Sequence, residues 1–177
     1  MMRKTAGKLR NLVDRDDGAA AVEFGIVAVP FLAALFAILQ TGLLFLAEQS
    51  LETTAADTSR LILTGQAQNQ GLDQATFQNA VCARLSVLMK CSGIMIDVRT
   101  YNNFSSANTA LPIDQDGNLQ NNFVYQPGAA GDIVVVRLMY QWPISLSLLG
   151  LGKSLSNLGN GQDLLMATVA FRTEPYQ

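Results

Sequence analysis

The chain has 177 residues, a net charge of −2 and no histidine. The length suits one membrane segment plus one modest domain. The near balance of charge argues against the basic surface that a nucleic-acid partner requires, and the lack of histidine removes Ser–His and Cys–His nucleophile pairs and the commonest metal ligand.

The N-terminal stretch is different from the rest. Residues 1–18 carry Arg3, Lys4, Lys8, Arg10 and Arg15 against Asp14, Asp16 and Asp17, while the remainder is net acidic. A basic start followed by an acidic body implies that the two lie in different compartments.

From Phe24 to Ala47 no residue is charged. As a helix these 24 residues would extend ~36 Å at about 1.5 Å per residue, enough to cross a hydrocarbon core of roughly 30 Å. A secretory signal peptide has a shorter apolar region, and a buried core helix would show a polar stripe; only Gln40 and Thr41 interrupt this one. We therefore expect a transmembrane helix over 19–47, with 1–18 as a cytoplasmic leader and 48–177 as an exported domain. The flanks set the direction: five basic residues precede the span, whereas Glu48, Glu52 and Asp57 follow it before Arg60. Pro30 removes one helical hydrogen bond, which membrane helices tolerate; a mild kink is expected there.

Gly18-Ala19-Ala20-Ala21-Val22-Glu23-Phe24 carries the most information. A lone Glu at the edge of an apolar run is costly to bury unless it is paired. Either Glu23 rests among lipid headgroups, or it pairs with a new amine made by cutting after Gly18. A basic leader, a glycine and then Glu at the fifth position of the shortened chain form the spacing of a class III (type IV) prepilin signal.

The segment GAAAVEF followed by a proline-containing apolar helix resembles the TadE-like family of minor pilins, or pseudopilins, of tight-adherence (Flp-type) pilus systems. Gly42, Ala55-Ala56 ahead of Arg60 and Gly65, and the ending Ala170-Phe171-Arg172-Thr173-Glu174-Pro175-Tyr176 extend the resemblance. Gln40 departs from it, standing where members often carry an acid.

The resemblance implies that a prepilin peptidase cuts Gly18–Ala19 on the cytoplasmic side, with the small residues 18–21 extended in its cleft and Phe24 as the motif's aromatic. It also implies another pseudopilin, the major pilin and the inner-membrane pilus platform as partners. The expected location is the inner membrane, single-pass, with the N-terminus cytoplasmic and the C-terminal domain periplasmic; incorporation into the fibre is left open. The rival reading is an uncleaved single-pass scaffold or receptor with an exported ligand-binding domain.

Beyond the span the helix is expected to continue over 48–65, with Leu44, Leu51, Ala55 and Ile62 as its packing stripe and Gly65 as its stop. QAQNQG (66–71) reads as a loop. A second helix is expected over 73–88, with Phe77, Val81, Leu85 and Leu88 on one face. Nine helical residues would separate Cys82 from Cys91 by ~13.5 Å, against a disulfide limit near 7 Å, so either the helix ends around Ser86–Leu88 and curls back or the bridge does not form; a Cys82–Cys91 disulfide is expected, in keeping with an oxidising compartment.

Three strands are expected, over 94–101, 132–142 and 164–172. Their inward sets are Ile94, Ile96 and Val98; Val134, Val136, Leu138, Tyr140 and Trp142; and Leu165, Ala167, Val169 and Phe171. The fold class is thus α+β: a long membrane helix running into a pilin-like domain with a second helix and a small antiparallel sheet. Residues 102–131 read as a long polar loop.

Asp114-Gln115-Asp116-Gly117-Asn118 resembles half a calcium loop but lacks the terminal Glu, and a polar turn is the better reading. Residues 144–158 are apolar for a connection and suggest either a cover for the sheet or a contact with another subunit or the bilayer. A phosphate-binding glycine loop and a GxSxG elbow are both missing. A carboxylate hydrolase would need two acids converging in a cleft. The chain is read as a non-enzyme without cofactor or metal.

Overall fold

The computed structural model describes residues 17–144 and 156–175. The basic leader residues, most of the apolar connection 144–158 and Tyr176 lie outside the described residues.

Helix α1 runs from Asp17 to Leu63 and passes through Pro30 without a break. Proline at this position leaves the Ile26 carbonyl without its usual helical donor. The chain divides into two units at Gly42, and α1 contributes to both. In the first unit the apolar side chains point outward all round the helix: Val22, Phe24, Ile26, Val27, Val29, Phe31, Phe36 and Ile38 are each more than half exposed. Water does not tolerate such a surface on an isolated helix; lipid does.

In the second unit the same helix acquires one buried side. Ala47, Leu51, Thr54, Ala55, Thr58, Ser59 and Ile62 are buried at spacings of three and four. Most are small, which lets the sheet lie close. The Thr54 and Thr58 hydroxyls donate to the Ser50 and Thr54 carbonyls one turn back, at 2.8 and 2.7 Å, and so avoid being orphaned.

Helix α1 stops at Gly65, which adopts φ 75°, a left-handed conformation that glycine reaches without a Cβ clash. One helical turn, α2 (Gln66–Asn69), occupies part of the stretch expected to be loop. Helix α3 (Gln74–Cys82) begins on Asp73, whose carboxylate accepts from the Thr76 N–H at 2.8 Å. The Thr76 hydroxyl and that N–H together hold the Asp73 carboxyl below its ordinary pKa.

The expected second helix over 73–88 runs six residues too far at its C-terminal end, because α3 ends at Cys82. The chain then turns back, bringing the Cys82 and Cys91 Cα atoms to 5.3 Å, and the disulfide forms. Phe77 and Val81 are buried as anticipated; Leu88 is not, since the helix that would have turned it inward has already ended.

The sheet is antiparallel, in the order β1 (Ile94–Tyr101), β2 (Ile133–Pro143), β3 (Gln162–Arg172). The fold is therefore α+β, with a long N-terminal helix, further helices and three strands. Register pairs Ile96 with Leu138 and Val98 with Val136; on the other side Val136 meets Val169 and Leu138 meets Ala167. These residues share one core cluster with Ala47, Leu51, Ala55, Ile62, Phe77 and Val81.

The opposite face, which alternation marks as polar, is covered. Residues 102–131 fold back across it, and Met139, Leu158 and Leu164 form a second cluster with Ile113, Leu119 and Phe123. The same loop seals the free edge of β1: Val98 N–H donates to Val124 O at 2.8 Å, and Gln126 N–H to Val98 O at 2.9 Å. An open strand edge invites foreign pairing, and this one is taken up internally.

Candidate functional site

The residues singled out for processing all sit in the first turns of α1. Gly18 is exposed and a Cβ built on it would meet nothing within 4 Å. The stretch 18–21, expected to be extended in a protease cleft, is helical in the uncut chain. Glycine inside a helix costs about 1 kcal/mol relative to alanine, so Gly18 weakens the turn it sits in.

Glu23 is exposed and follows Ala19 by four residues, which places the two on one side of the helix about 6 Å apart along its axis. Between Asp17 and Glu48 it is the single charge. Among the described residues the ion pairs are Arg99–Asp97 and Arg137–Asp97, and Glu23 is in neither. Phe24, beside it, is 75% exposed. The helix thus presents an acid and an aromatic outward at the head of an uncharged cylinder.

Residues 18–60 match the family model of TadE-like proteins.

The match covers Gly18, Ala19, Glu23, Phe24, Gly42 and the Ala55-Ala56 to Arg60 stretch. No curated protein and no solved structure matches the chain at a significant level. The TadE-like segment spans both halves of α1, ending where the helix is packed on the sheet.

The Cys82–Cys91 disulfide lies beyond the matched range and holds the turn after α3. The Asp114 carboxylate accepts from the Asp116 and Asn118 backbone N–H groups at 3.0 and 2.7 Å and closes its own turn, and the Asn118 N–H bond holds its pKa low.

A charged cluster in the sheet was not anticipated. Asp97 is fully buried and is gripped by the Arg137 guanidinium through Nε and Nη2, the former at 3.0 Å. Arg99 Nε adds a bond at 3.0 Å and the Val124 N–H another at 2.9 Å. Arg137 also reaches the Ala110 carbonyl at 3.3 Å, and Arg99 reaches that of Asn122. The cluster ties the covering loop to β1 and β2. Its signal in the sequence was one acid and one base of opposite sign in the middle of two apolar strands, and register makes them direct partners.

The terminal stretch closes the domain. Thr173 is buried; its hydroxyl donates to Ala129 O at 2.6 Å and its N–H to Asp132 O at 2.9 Å. Glu174 N–H then donates to the Leu63 carbonyl at 2.8 Å, satisfying one of the orphan acceptors at the end of α1.

Proposed function

We propose that the chain is a pilin-like membrane subunit, a minor pilin or pseudopilin, that takes part in assembling a tight-adherence type IV pilus. The observation that carries this reading is Glu23: one acid at the head of the uncharged stretch 24–47, five residues after an exposed glycine, inside a TadE-like match.

In this reading α1 crosses the inner membrane once, the basic leader stays in the cytoplasm, and the domain carrying the disulfide lies in the periplasm. A prepilin peptidase unwinds the first turn at Gly18 and cuts before Ala19. The new Ala19 amine of one subunit then neutralises Glu23 of a neighbour. Each charge alone in the bilayer edge would cost several kcal/mol, so only one stagger of the helices satisfies both. The chain acts by assembly and has no catalytic role. Its partners are the peptidase, another pseudopilin, the major pilin and the inner-membrane platform.

Glu23→Ala is expected to leave membrane insertion intact while abolishing surface fibres, with Glu23→Asp between the two. Fibres at normal density from Glu23→Ala would sink the pairing. Replacing Gly18 with a bulky residue is expected to leave an uncut precursor on an immunoblot; a normally processed band would reject the cleavage site.

A second reading, an uncleaved single-pass receptor, is favoured by one feature. A groove lined by Asp57, Arg60, Leu61, Thr64, Gln66 and Arg84 offers both signs of charge to a ligand. It predicts a retained leader and fibre assembly indifferent to Glu23.

A further inference from the structure

The two outer edges of the sheet are not alike. Register and hydrogen bonds fix which backbone groups face each edge. On β3 the Leu164 N–H donates to Asn157 Oδ1 at 2.7 Å, the Leu164 carbonyl accepts from Asn157 Nδ2 at 3.2 Å, and the Gln162 carbonyl accepts from the Leu158 N–H at 3.2 Å. Those bonds lie on the side away from β2. The even-numbered residues of β3 therefore direct their N–H and C=O groups outward, while the odd-numbered ones bond β2. The same alternation on β1 brings Val98 to the opposite edge, where Val124 and Gln126 take up both of its groups.

The edge of β3 is closed at its start and open beyond. Past Leu164, among the described residues, no hydrogen bond reaches the outward N–H or C=O groups of Met166, Thr168 and Ala170. Thr173 ends the open stretch by turning in to bond Ala129 and Asp132. Leu165 to Phe171 contains no charge, proline or glycine, the residues that usually blunt an edge strand. Ala170 is exposed, and Met166, Thr168 and Val169 are half-buried. The Thr168 hydroxyl is buried without a partner, one more unsatisfied polar group in the middle of this stretch. At its end stands Arg172, exposed and with no ion pair among the described residues.

We propose that the open edge of β3 is an interaction surface that takes an extended segment of a partner protein as a fourth strand: an apolar run of about five residues with an acid at the end that meets Arg172. The free groups at 166, 168 and 170 select a strand, because an extended chain offers donors and acceptors at their spacing. Arg172 selects the acid, since opposite charges set across a strand pair attract. A second copy of β3 does not meet that requirement. Its one carboxylate, Asp163, lies in the stretch whose edge Asn157 and Leu158 already occupy. All of these residues belong to the second unit, so the surface stands apart from the membrane reading of α1.

The full chain in detergent micelles is offered a displayed library of randomised peptides of about seven residues, selected on the parent and counter-selected on Ala170→Pro. That variant deletes an outward N–H that bonds nothing, and is expected to unfold at the parent's denaturant midpoint. Val169→Pro, which deletes a bond to β2, is expected to unfold earlier. Selected peptides are expected to alternate apolar residues and to carry an acid near one end. They are expected to slow amide exchange at Met166, Thr168 and Ala170 by about tenfold or more, leaving the odd-numbered neighbours unchanged. Arg172→Glu is expected to replace the preference for an acid by one for a base. Should Ala170→Pro unfold early, the exchange pattern in the parent decides alone.

A library that yields no peptide, or only peptides that bind Ala170→Pro as well as the parent, overturns the edge as a site. Peptides lost on Ala170→Pro that lack an acid, or that ignore Arg172→Glu, overturn the choice of partner. Slow exchange at the three even-numbered amides in the chain alone overturns the open edge. If that protection falls on dilution, the edge belongs to a second copy instead.

Discussion

The two halves of α1 share a backbone and differ in what surrounds them. From Val22 to Leu39 the large apolar side chains face outward on every side; from Ala47 to Ile62 the buried ones are confined to one stripe. In the first half stability has to come from outside the molecule, from lipid or from neighbouring helices. In the second it comes from the molecule's own sheet. The lesson is that hydrophobicity alone does not assign a role. Periodicity does, because a uniform coat and a stripe require different solvents.

That contrast makes energetic predictions, best read by denaturant unfolding of the full chain in detergent. The largest effect belongs to the buried cluster. Arg137→Ala removes the main partner of a fully buried carboxylate and is expected to cost about 3–5 kcal/mol, because Asp97 stays behind with only Arg99 and the Val124 N–H. Replacing Asp97 and Arg137 together by apolar residues of similar volume is expected to recover most of that loss. An unrecovered double variant would mean that the cluster organises residues 102–131 in a way packing cannot replace.

Next comes the same deletion made on either side of Gly42. Leu51→Ala, at a fully buried position, is expected to destabilise the domain by about 3 kcal/mol. Leu35→Ala, at 41% exposure in the first half, is expected to leave the domain transition unmoved. Equal costs would erase the distinction between the halves.

Opening the Cys82–Cys91 bridge should rank third. It closes a short loop, for which chain entropy gives about 2–3 kcal/mol. Reduction is expected to lower domain stability by that amount and to leave the helical signal of the first half intact.

The smallest effect is pH-dependent. Burial raises the folded-state pKa of Asp163 above the ordinary aspartate value of 3.8. A raised acid favours folding while protonated, so its contribution is lost as pH climbs from the unfolded value through the folded one. Asp163→Asn is therefore expected to be slightly more stable than the parent at neutral pH, with the difference vanishing in acid below the unfolded value. A difference that grows on acidification would contradict the sign.

Much of this was legible in the residues themselves. Strict alternation in Ile94–Val98 and Val134–Trp142 gave the strands and their inward faces, and the spacing of Leu51, Ala55 and Ile62 gave the packed stripe. The early end of α3 was not readable from propensity, because Leu85 and Leu88 continue its apolar face; only the geometry of the cysteine pair argued for a turn. The covered outer face was missed for a similar reason. Asp97, Arg99 and Arg137 look like solvent-facing charges until register sets an acid against a base and a loop closes over them. The closing roles of Thr173 and Glu174 depend on partners far earlier in the chain, Ala129 and Asp132 for the first and Leu63, 111 residues back, for the second, which local pattern does not reach.

At the candidate site, glycine, spacing and leader charge mark 18–24, and the stretch is helical in the full chain. Alanine at 19–21 favours helix strongly, and nothing short of a protease cleft competes with it.

The whole account turns on whether a cut between residues 18 and 19 frees the amine that pairs with the acid one turn above. N-terminal sequencing of the protein extracted from membranes of fibre-bearing cells reads this directly. Chains starting at Ala19 are the expected result; chains that begin with the intact leader in cells making normal fibres would contradict it.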